Sequence, residues 1–437
     1  MRILYVNGLH TGGTKIVVNN IIREISKTHD VRLLCGIEEY TSPRFSARDE
    51  IRNGVPTRLI NIRRLRNNRV RRNYYNPRFN QPFLEFVKSF EPDLIHFHSI
   101  QPFGANVIEE TVQLYIPFCL TMHEWWWLCP RNYLVDIHLK VCSQYMHVEP
   151  SRCYCVGRNF ELKRFRYLQN VLERIRYILV PSRYIKENLE LHGVGSGKMI
   201  VNENGIVPPE AFKRRPVSHP LRFGFFGGGA GYKGDHILIR ALREINEGKG
   251  VINAYNFKVM SEYREKKRYR NFFRVVRQVT EKLRDEPYDK SHQIIRYFRD
   301  RKLLQSTENI KIHFFPPFSD HQIDEVFSGI DVLLLPSVMK ESYSLVVREA
   351  MIRGIPVISS DCGGPEEIIR DGYNGYIFKT GDYIDLAEKM ARLILNPGLV
   401  ERFSRNIDAA QIVTVEQQVQ HLESLYTQIV SSWNKRP

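Results

Sequence analysis

Ten strand-length apolar runs, in two sets of five separated by stretches of helical periodicity, constrain this chain more than any other feature. The first set is RILYVN (2–7), VRLLCG (31–36), DLIHFH (93–98), FCLTMH (118–123) and YILVPS (177–182). A break rich in Pro, Gly and charge follows, NENGIVPPEAFKRRPVSHP (202–220). Then come LRFGFFG (221–227), NFKVMS (256–261), IKIHFFP (310–316), DVLLLPS (331–337) and PVISS (356–360). Runs apolar at nearly every position suit strands covered on both faces, hence parallel sheets with crossover helices. Between the first two, Ile16, Val17, Ile21, Ile22 and Ile25 recur at helical spacing. The expected class is α/β, with two doubly wound Rossmann-like domains. A chain of 437 residues is long enough for both cores. Ligands of such sheets bind beyond the carboxyl ends of the strands, so two facing domains would gather those ends around a central cleft.

The boundaries expected are 1–205 for the first domain, 206–411 for the second and 412–437 for a C-terminal helix. That helix opens with TVEQ, a Thr-x-x-Gln capping box, and carries Val415, Val419, Leu422, Leu425, Ile429 and Trp433 on one stripe. Such a stripe must dock on something. Residues 262–306 interrupt the second half, and Phe272, Val275, Val276, Val279 and Leu283 suggest an inserted helical hairpin.

Charge is unevenly spread along the chain, which carries a net +16. Residues 51–84 hold nine arginines and no acid, and 262–306 hold fourteen Lys and Arg against seven Asp and Glu. Blocks of this kind suit phosphate-rich surfaces, either nucleic acid or an anionic bilayer, or are simply solvated loops. No run approaches the roughly 18 apolar residues of a membrane span, and MRILYVNG reads as a strand rather than a signal peptide. A cytoplasmic protein is expected, and an odd count of seven cysteines fits that compartment better than a disulfide framework.

Chemistry concentrates in ESYSLVVRE (341–349), which follows the strand DVLLLPS. A helix starting near Ser344 would aim unpaired backbone N–H groups at a ligand, a setting that suits a diphosphate. Glu349, more than one turn inside, would accept two ribose hydroxyls, and Glu341 would grip hydroxyls of the group beyond the diphosphate. On their own, two acids at this spacing are as compatible with solvated helix charges. GFFGGGAGYKG (224–234) adds a glycine loop with Lys233 between strand and helix, without the Gly-Lys-Ser/Thr of a Walker loop. HTGGTK (10–15), SSDCGGPEEII (359–369) and DGYNGYIF (371–378) add glycine turns at other strand ends.

Taken in order, the Gly-rich loop ending in KG, DVLLLPS, ESYSLVVREA, GIPVISSDCGG and EEIIRDGYNGYIF resemble the retaining glycosyltransferases of family 4, which have the two-Rossmann GT-B fold. TGGTKIVV, EPDLIHFH, TMHEWWWLCPR and ILVPSRYIKENLELHGV resemble the family's first half more loosely. The resemblance implies transfer of a sugar from a nucleotide diphosphate (UDP or GDP) to an acceptor hydroxyl with the anomeric configuration kept. The expected setting is cell-surface polysaccharide or glycolipid synthesis, with a glycan or lipid-linked acceptor. It implies a crossover of the final helix onto the first domain and no metal in catalysis. By the same resemblance, Glu349 is the ribose ligand, Glu341 holds the donor sugar and counts with His123 as catalytic, and Ser342 is one of the donor-binding residues. The backbone of Ser344, Leu345 and Val346 cradles the diphosphate. Gly227, Gly228 and Lys233 face the leaving phosphate, and Gly12 and Gly13 close over the donor. His123 matches the histidine beside the donor sugar, in a positioning role rather than as a base. Two departures stand out. Many relatives carry Arg where this chain has Gly228, leaving Arg348 or the first domain to supply the missing cation. Ser344 replaces the relatives' glycine.

Trp125, Trp126 and Trp127 form either a sugar-stacking platform or packed wall, and all three cannot face one way. Cys129, Cys142, Cys153 and Cys155 form either a structural zinc site or a set of unliganded thiols. Arg63, Arg64, Arg66, Arg69, Arg71 and Arg72, with Tyr74, Tyr75, Phe79 and Phe83 interleaved, are expected to hold the protein on an anionic membrane surface. No zinc-finger, RNA-recognition or helix-turn-helix signature accompanies the basic blocks, so nucleic acid is not the expected partner. The competing readings are a nucleotide-sugar epimerase of the same architecture, a basic nucleic-acid binder and a non-catalytic sugar-binding relative.

Overall fold

The computed structural model describes residues 1–8, 12–39, 41–62, 74–136, 138–142, 153, 155–210, 212–227, 231–255, 307–316 and 318–433. They form two compact units. The first comprises 1–134, 143–207 and 413–437, and the second 135–142 and 208–412.

In the first unit an eight-stranded sheet has the order β3-β4-β2-β1-β5-β6-β7-β8. Its strands are β1 (Arg2–Asn7), β2 (Asp30–Ile37), β3 (Ala47–Arg52), β4 (Val55–Asn61), β5 (Leu94–Phe97), β6 (Phe118–Thr121), β7 (Ile178–Val180) and β8 (Met199–Val201). All neighbours pair in parallel except β3 with β4. The central strands β5 and β6 are buried at every position, which is why they read as unbroken apolar runs. The helix Gly13–Ile25 covers the sheet with Val17, Val18, Ile21, Ile22 and Ile25, all buried. Ser182 caps the helix Arg183–Leu191 by accepting from the Ile185 N–H at 3.1 Å.

The C-terminal helix, Val415–Trp433, packs on this unit. Its capping box is formed: the Gln417 N–H donates to Thr414 Oγ1 at 3.3 Å, and the Thr414 N–H donates to Gln417 Oε1 at 2.9 Å. The whole expected stripe is buried. Burial of each large apolar side chain there is worth about 1.5–3 kcal/mol. Tyr426, fully buried on the same helix, shares its hydroxyl with the Tyr5 hydroxyl of β1 (2.8 Å) and with Nδ1 of His96 on β5 (2.5 Å).

The second unit holds a six-stranded, wholly parallel sheet of order β11-β10-β9-β12-β13-β14. Its strands are β9 (Leu221–Phe225), β10 (Gly250–Ala254), β11 (Ile310–Phe314), β12 (Val332–Leu335), β13 (Val357–Ser360) and β14 (Gly375–Phe378). The strand between β9 and β11 is Gly250–Ala254, and the expected strand 256–261 lies outside the described residues. Asn253 sits inside β10 because its side chain donates to the Gly329 carbonyl at 2.9 Å.

Several expectations fall elsewhere. The inserted segment 262–306 and the arginines Arg63, Arg64, Arg66, Arg69, Arg71 and Arg72 lie outside the described residues. The aromatics assigned with them to a membrane surface do not act as a group. Phe79 and Phe83 are fully buried in the first unit, Phe79 stacked on Phe103 at 4.1 Å and Phe83 beside Phe97 at 6.1 Å. Arg52 and Arg58, from the same basic stretch, pair with Glu50 and Asp49 within the β3–β4 hairpin. Among the described residues no helix is long and apolar enough to cross a membrane.

Candidate active site

In a doubly wound sheet the ligand-binding crevice opens where strand order reverses, between neighbours whose connections leave in opposite directions. In the second unit that point lies between β9 and β12. After β9 the chain passes Gly227, where an added Cβ would stand 1.9 Å from the Phe225 ring, so only glycine fits. The turn Gly231–Lys233 follows, closed by Gly234 at φ 79°. A Cβ at Gly234 would lie 1.6 Å from the Pro336 carbonyl oxygen, so the glycine turn rests directly on the end of β12. The Tyr232 carbonyl accepts the Val338 and Met339 N–H groups at 2.9 and 3.2 Å, which tie the two loops together.

This docking brings Lys233 to Glu341, 108 positions away in sequence: Nζ donates to Oε1 at 2.8 Å. Glu341 is 6% exposed, and the same oxygen accepts from Ser337 Oγ at 3.0 Å. Its backbone is held too, the N–H donating to the Cys362 carbonyl (2.7 Å) and the carbonyl accepting from the Gly364 N–H (2.9 Å). A buried carboxylate with a cation and a hydroxyl on one oxygen is a fixed acceptor, oriented by three loops at the same sheet edge.

Ser342 follows, half-buried, and Ser344 initiates the helix Leu345–Met351 from a left-handed conformation, φ 64° and ψ 86°, without a side-chain cap. The helix starts where expected. Its first-turn N–H groups, those of Leu345 and Val346 included, have no acceptor within the helix. Glu349 is the fifth residue of that helix and half-buried. Burial pushes its carboxyl up to about 7, against the opposing pull of Arg353 and with a small push from Asp320. Arg353 is anchored by Asp324 and by the Glu349 carbonyl, to which its Nη1 donates at 2.8 Å. Gly228 lies outside the described residues.

Arg348 does not supply the cation that Gly228 lacks. It is 2% exposed, its guanidinium lies 3.5 Å over the Tyr343 ring, and it bonds the Tyr343 carbonyl and pairs with Glu367 at 3.5 Å. It braces the loop that carries Ser342 and Ser344.

In the first unit the reversal lies between β1 and β5. Gly12, at φ 81°, caps the helix that begins at Gly13 after β1. His98 follows β5, and His123 lies just beyond β6; His98 Nδ1 and His123 Nε2 are 2.8 Å apart. His96, two residues earlier on the same strand face, holds Thr121 Oγ1 through Nε2 at 2.7 Å and Tyr426 through Nδ1. Burial drives His96 and His123 down to about 3 and His98 well below its usual range, so all three are neutral at pH 7. A neutral His123 fits a hydrogen-bonding role and not a protonated one. His96, His98, Ser337 and Tyr426 were not assigned roles from the sequence. The period-two spacing in DLIHFH, which puts two histidines on one strand face, was the available signal.

Trp125–Trp127 form a short turn in which all three indoles are buried, between 1 and 3% exposed, so they present no open ring face for a sugar. Cys129, Cys142, Cys153 and Cys155 are all reduced. A hydrogen bond with the Cys155 thiol, together with burial, pushes the Cys153 thiol up, and Arg131 donates towards Cys155 Sγ at 3.9 Å. Among the described residues no three His, Cys, Asp or Glu side chains are grouped to hold a metal ion.

Two family models match the chain: Glycosyltransferase Family 4 over residues 11–208 and Glycosyl transferases group 1 over 296–409. A D-inositol 3-phosphate glycosyltransferase of Streptomyces bingchenggensis is 35% identical over 91 residues, which cover 21% of this chain and 20% of that protein. A phosphatidyl-myo-inositol mannosyltransferase of Mycobacterium leprae is 37% identical over 92 residues, 21% of this chain and 25% of that protein. The similarity thus spans about a fifth to a quarter of these relatives. An uncharacterised glycosyltransferase of Methanocaldococcus jannaschii is 24% identical over 73% of this chain and 70% of its own. Among solved structures, sucrose-phosphate synthase from Thermosynechococcus elongatus superposes with a TM-score of 0.71 at 15% identity, covering 99% of this chain and 100% of that one. Anabaena HepE in complex with UDP-glucose gives 0.63 at 17% identity, covering 98% and 100%.

Proposed function

Because the chain belongs to glycosyltransferase family 4 and has the GT-B fold, we propose that it transfers a hexose from a nucleotide-diphosphate sugar to an acceptor hydroxyl with retention of configuration. The observation that carries this reading is the Lys233–Glu341 contact of 2.8 Å at the switch point of the second sheet. A cation and a buried acceptor side by side suit a ligand that is anionic at one end and rich in hydroxyls at the other. Lys233 offsets the charge that grows on the departing diphosphate, and a fixed cation in a partly dehydrated site does this better than water. The first-turn N–H groups at Ser344, Leu345 and Val346 share that load. Glu341 accepts from sugar hydroxyls, Glu349 from ribose hydroxyls, and His123 hydrogen-bonds the sugar without serving as a base. None of these roles requires a metal.

HepE, a neighbour in fold, binds UDP-glucose, and starch synthase IV of Arabidopsis thaliana binds ADP, so a nucleoside diphosphate is the ligand class to try first. The names of the inositol-phosphate and phosphatidyl-inositol relatives favour a polyol or lipid-linked acceptor, in cell-surface polysaccharide or glycolipid synthesis. Arg63, Arg64, Arg66, Arg69, Arg71 and Arg72 are proposed to hold the chain to an anionic membrane surface, which flotation with anionic and neutral vesicles tests. The central experiment is a thermal-shift and calorimetric screen of UDP, GDP, ADP and their sugars. A ligand that prefers the folded chain raises its melting temperature by mass action. We expect one nucleoside diphosphate to do so in the wild type and much less in Lys233→Met. Indifference to every member of the screen would sink the proposal.

A further inference from the structure

One short stretch from the first half of the chain, Val135–Cys142, packs in the second unit with 208–412, although the chain on either side of it belongs to the first. It is a hairpin closed by a bridge between Val135 and Val141. Asp136, 6% exposed, organises its turn. The Asp136 N–H donates to the Lys140 carbonyl at 2.8 Å, and Oδ1 accepts from the N–H groups of His138 and Lys140 at 2.8 and 2.9 Å.

Leu139 stands at the tip, its N–H on the Asp136 carbonyl at 3.2 Å, with a left-handed backbone at φ 61°. A bulky side chain adopts that conformation only at a cost, and Gly or Asn would serve the turn better. Such strain persists where the surrounding structure fixes it, and it marks positions with a role. What leucine adds here is reach. A Cβ added to Gly231 would meet three Leu139 atoms first, Cδ1 at 2.6 Å, Cδ2 at 3.6 Å and Cγ at 3.7 Å. Gly231 does not have a left-handed backbone, so its glycine makes room for the leucine rather than supplying an unusual angle. Gly231 also opens the turn that carries Lys233, its carbonyl accepting from the Gly234 N–H at 3.1 Å.

We propose that the hairpin Val135–Cys142 is a strap on the glycine turn, in which Leu139 is a positioning residue that presses on Gly231 and so fixes Lys233. Glu341 holds the ammonium end of that lysine, and the strap holds its backbone end. The proposal rests on the reading of Lys233 as the cation that faces the diphosphate. A cation offsets growing charge only where it is held in place, and a displacement of about 1 Å costs roughly a hundredfold in rate.

The test uses the full chain, first by hydrogen exchange read by mass spectrometry. In Leu139→Ala the amides of 231–236 should exchange roughly tenfold faster than in the wild type, while those of β13 and β14 keep their rates. Unchanged exchange at 231–236 overturns the strap. Gly231→Ala should act in the same way, because its methyl group pushes Leu139 off, and adding Leu139→Ala to it should cost nothing more. Additive effects of the two overturn the contact. Calorimetric titration with UDP, GDP and ADP then reads the role. Leu139→Ala should weaken the diphosphate that binds roughly tenfold, and should cost little further once Lys233→Met is present. Leu139→Met, close in volume and still apolar, should bind as the wild type does. Wild-type affinity in Leu139→Ala, or an equal loss with and without Lys233, overturns the positioning role. Wild-type affinity in Lys233→Met overturns the reading of Lys233 instead, and hydrogen exchange still decides whether the strap holds the turn.

Discussion

Replacing Glu349 with Gln should flatten one component of the dependence of stability on pH. Burial raises this carboxyl from 4.5 to about 7. Its folded value therefore exceeds its unfolded one, and between these limits the folded chain holds a proton that the unfolded chain has released. The stabilisation is complete below about pH 4.5 and is lost as pH rises through 7. At about 1.4 kcal/mol per pH unit, the rise sets a ceiling between about 3 and 4 kcal/mol, and solvent reaching the half-buried side chain brings the expectation to roughly 1–3 kcal/mol. Glutamine is neutral throughout. Urea denaturation without nucleotide should give equal stabilities near pH 4.5 and a variant more stable by roughly 1–3 kcal/mol at pH 8. Glu161, also pushed up to about 7 by burial in the first unit, titrates in both proteins and cancels from the difference. Nucleotide affinity should move the other way. An ionised Glu349 is the better acceptor for ribose hydroxyls, so the wild type should gain affinity for its nucleoside diphosphate as pH rises through 7, and the variant should lose this gain. At pH 8 the variant should bind about 10- to 100-fold more weakly, from the loss of hydrogen bonds to a charged group. A stability difference that does not change between pH 5 and 8 would refute the reasoning.

Lys233→Met leaves Glu341 buried without its cation, and should destabilise the second unit by about 1–3 kcal/mol while weakening diphosphate binding. Lys233→Arg should restore most of the stability, as read by urea denaturation and calorimetry. Tyr426→Phe removes the hydroxyl shared by Tyr5 and His96, and should cost about 2 kcal/mol in the same denaturation assay. Ser344→Gly relieves a left-handed backbone at φ 64° and should be neutral or stabilising by up to about 1 kcal/mol, whereas Ser344→Val should be destabilising.

Buried parallel strands were legible because their surroundings are uniform: β5, β6, β12 and β13 are buried at every position, and their mostly apolar runs read directly as strands. The edge hairpin β3–β4 was not, because half of its residues meet water. ARDEIR reads as a charged loop until Asp49 and Arg58 are seen to pair across the ladder. Phe79 and Phe83 were read with their basic neighbours, yet the helix Asn80–Phe90 buries Phe83, Phe86, Val87 and Phe90, an inward stripe that the periodicity already contained. The residues of the candidate site lie in recognisable motifs, but the Lys233–Glu341 contact depends on how two loops dock, and no local pattern encodes it. Arg348 shows the converse. Its charge suggested a ligand, and only the ring of Tyr343 beneath it and the acid of Glu367 beside it reveal a brace.

The hydroxyl of Tyr426 touches the strand at the very start of the chain, while residues 208–412 complete a core of their own in between. During vectorial synthesis the later core can therefore close first. The earlier one must wait, with Tyr5 and His96 lacking their partner, until the final helix has left the ribosome. Truncation before residue 426 would consequently damage the half that was made first.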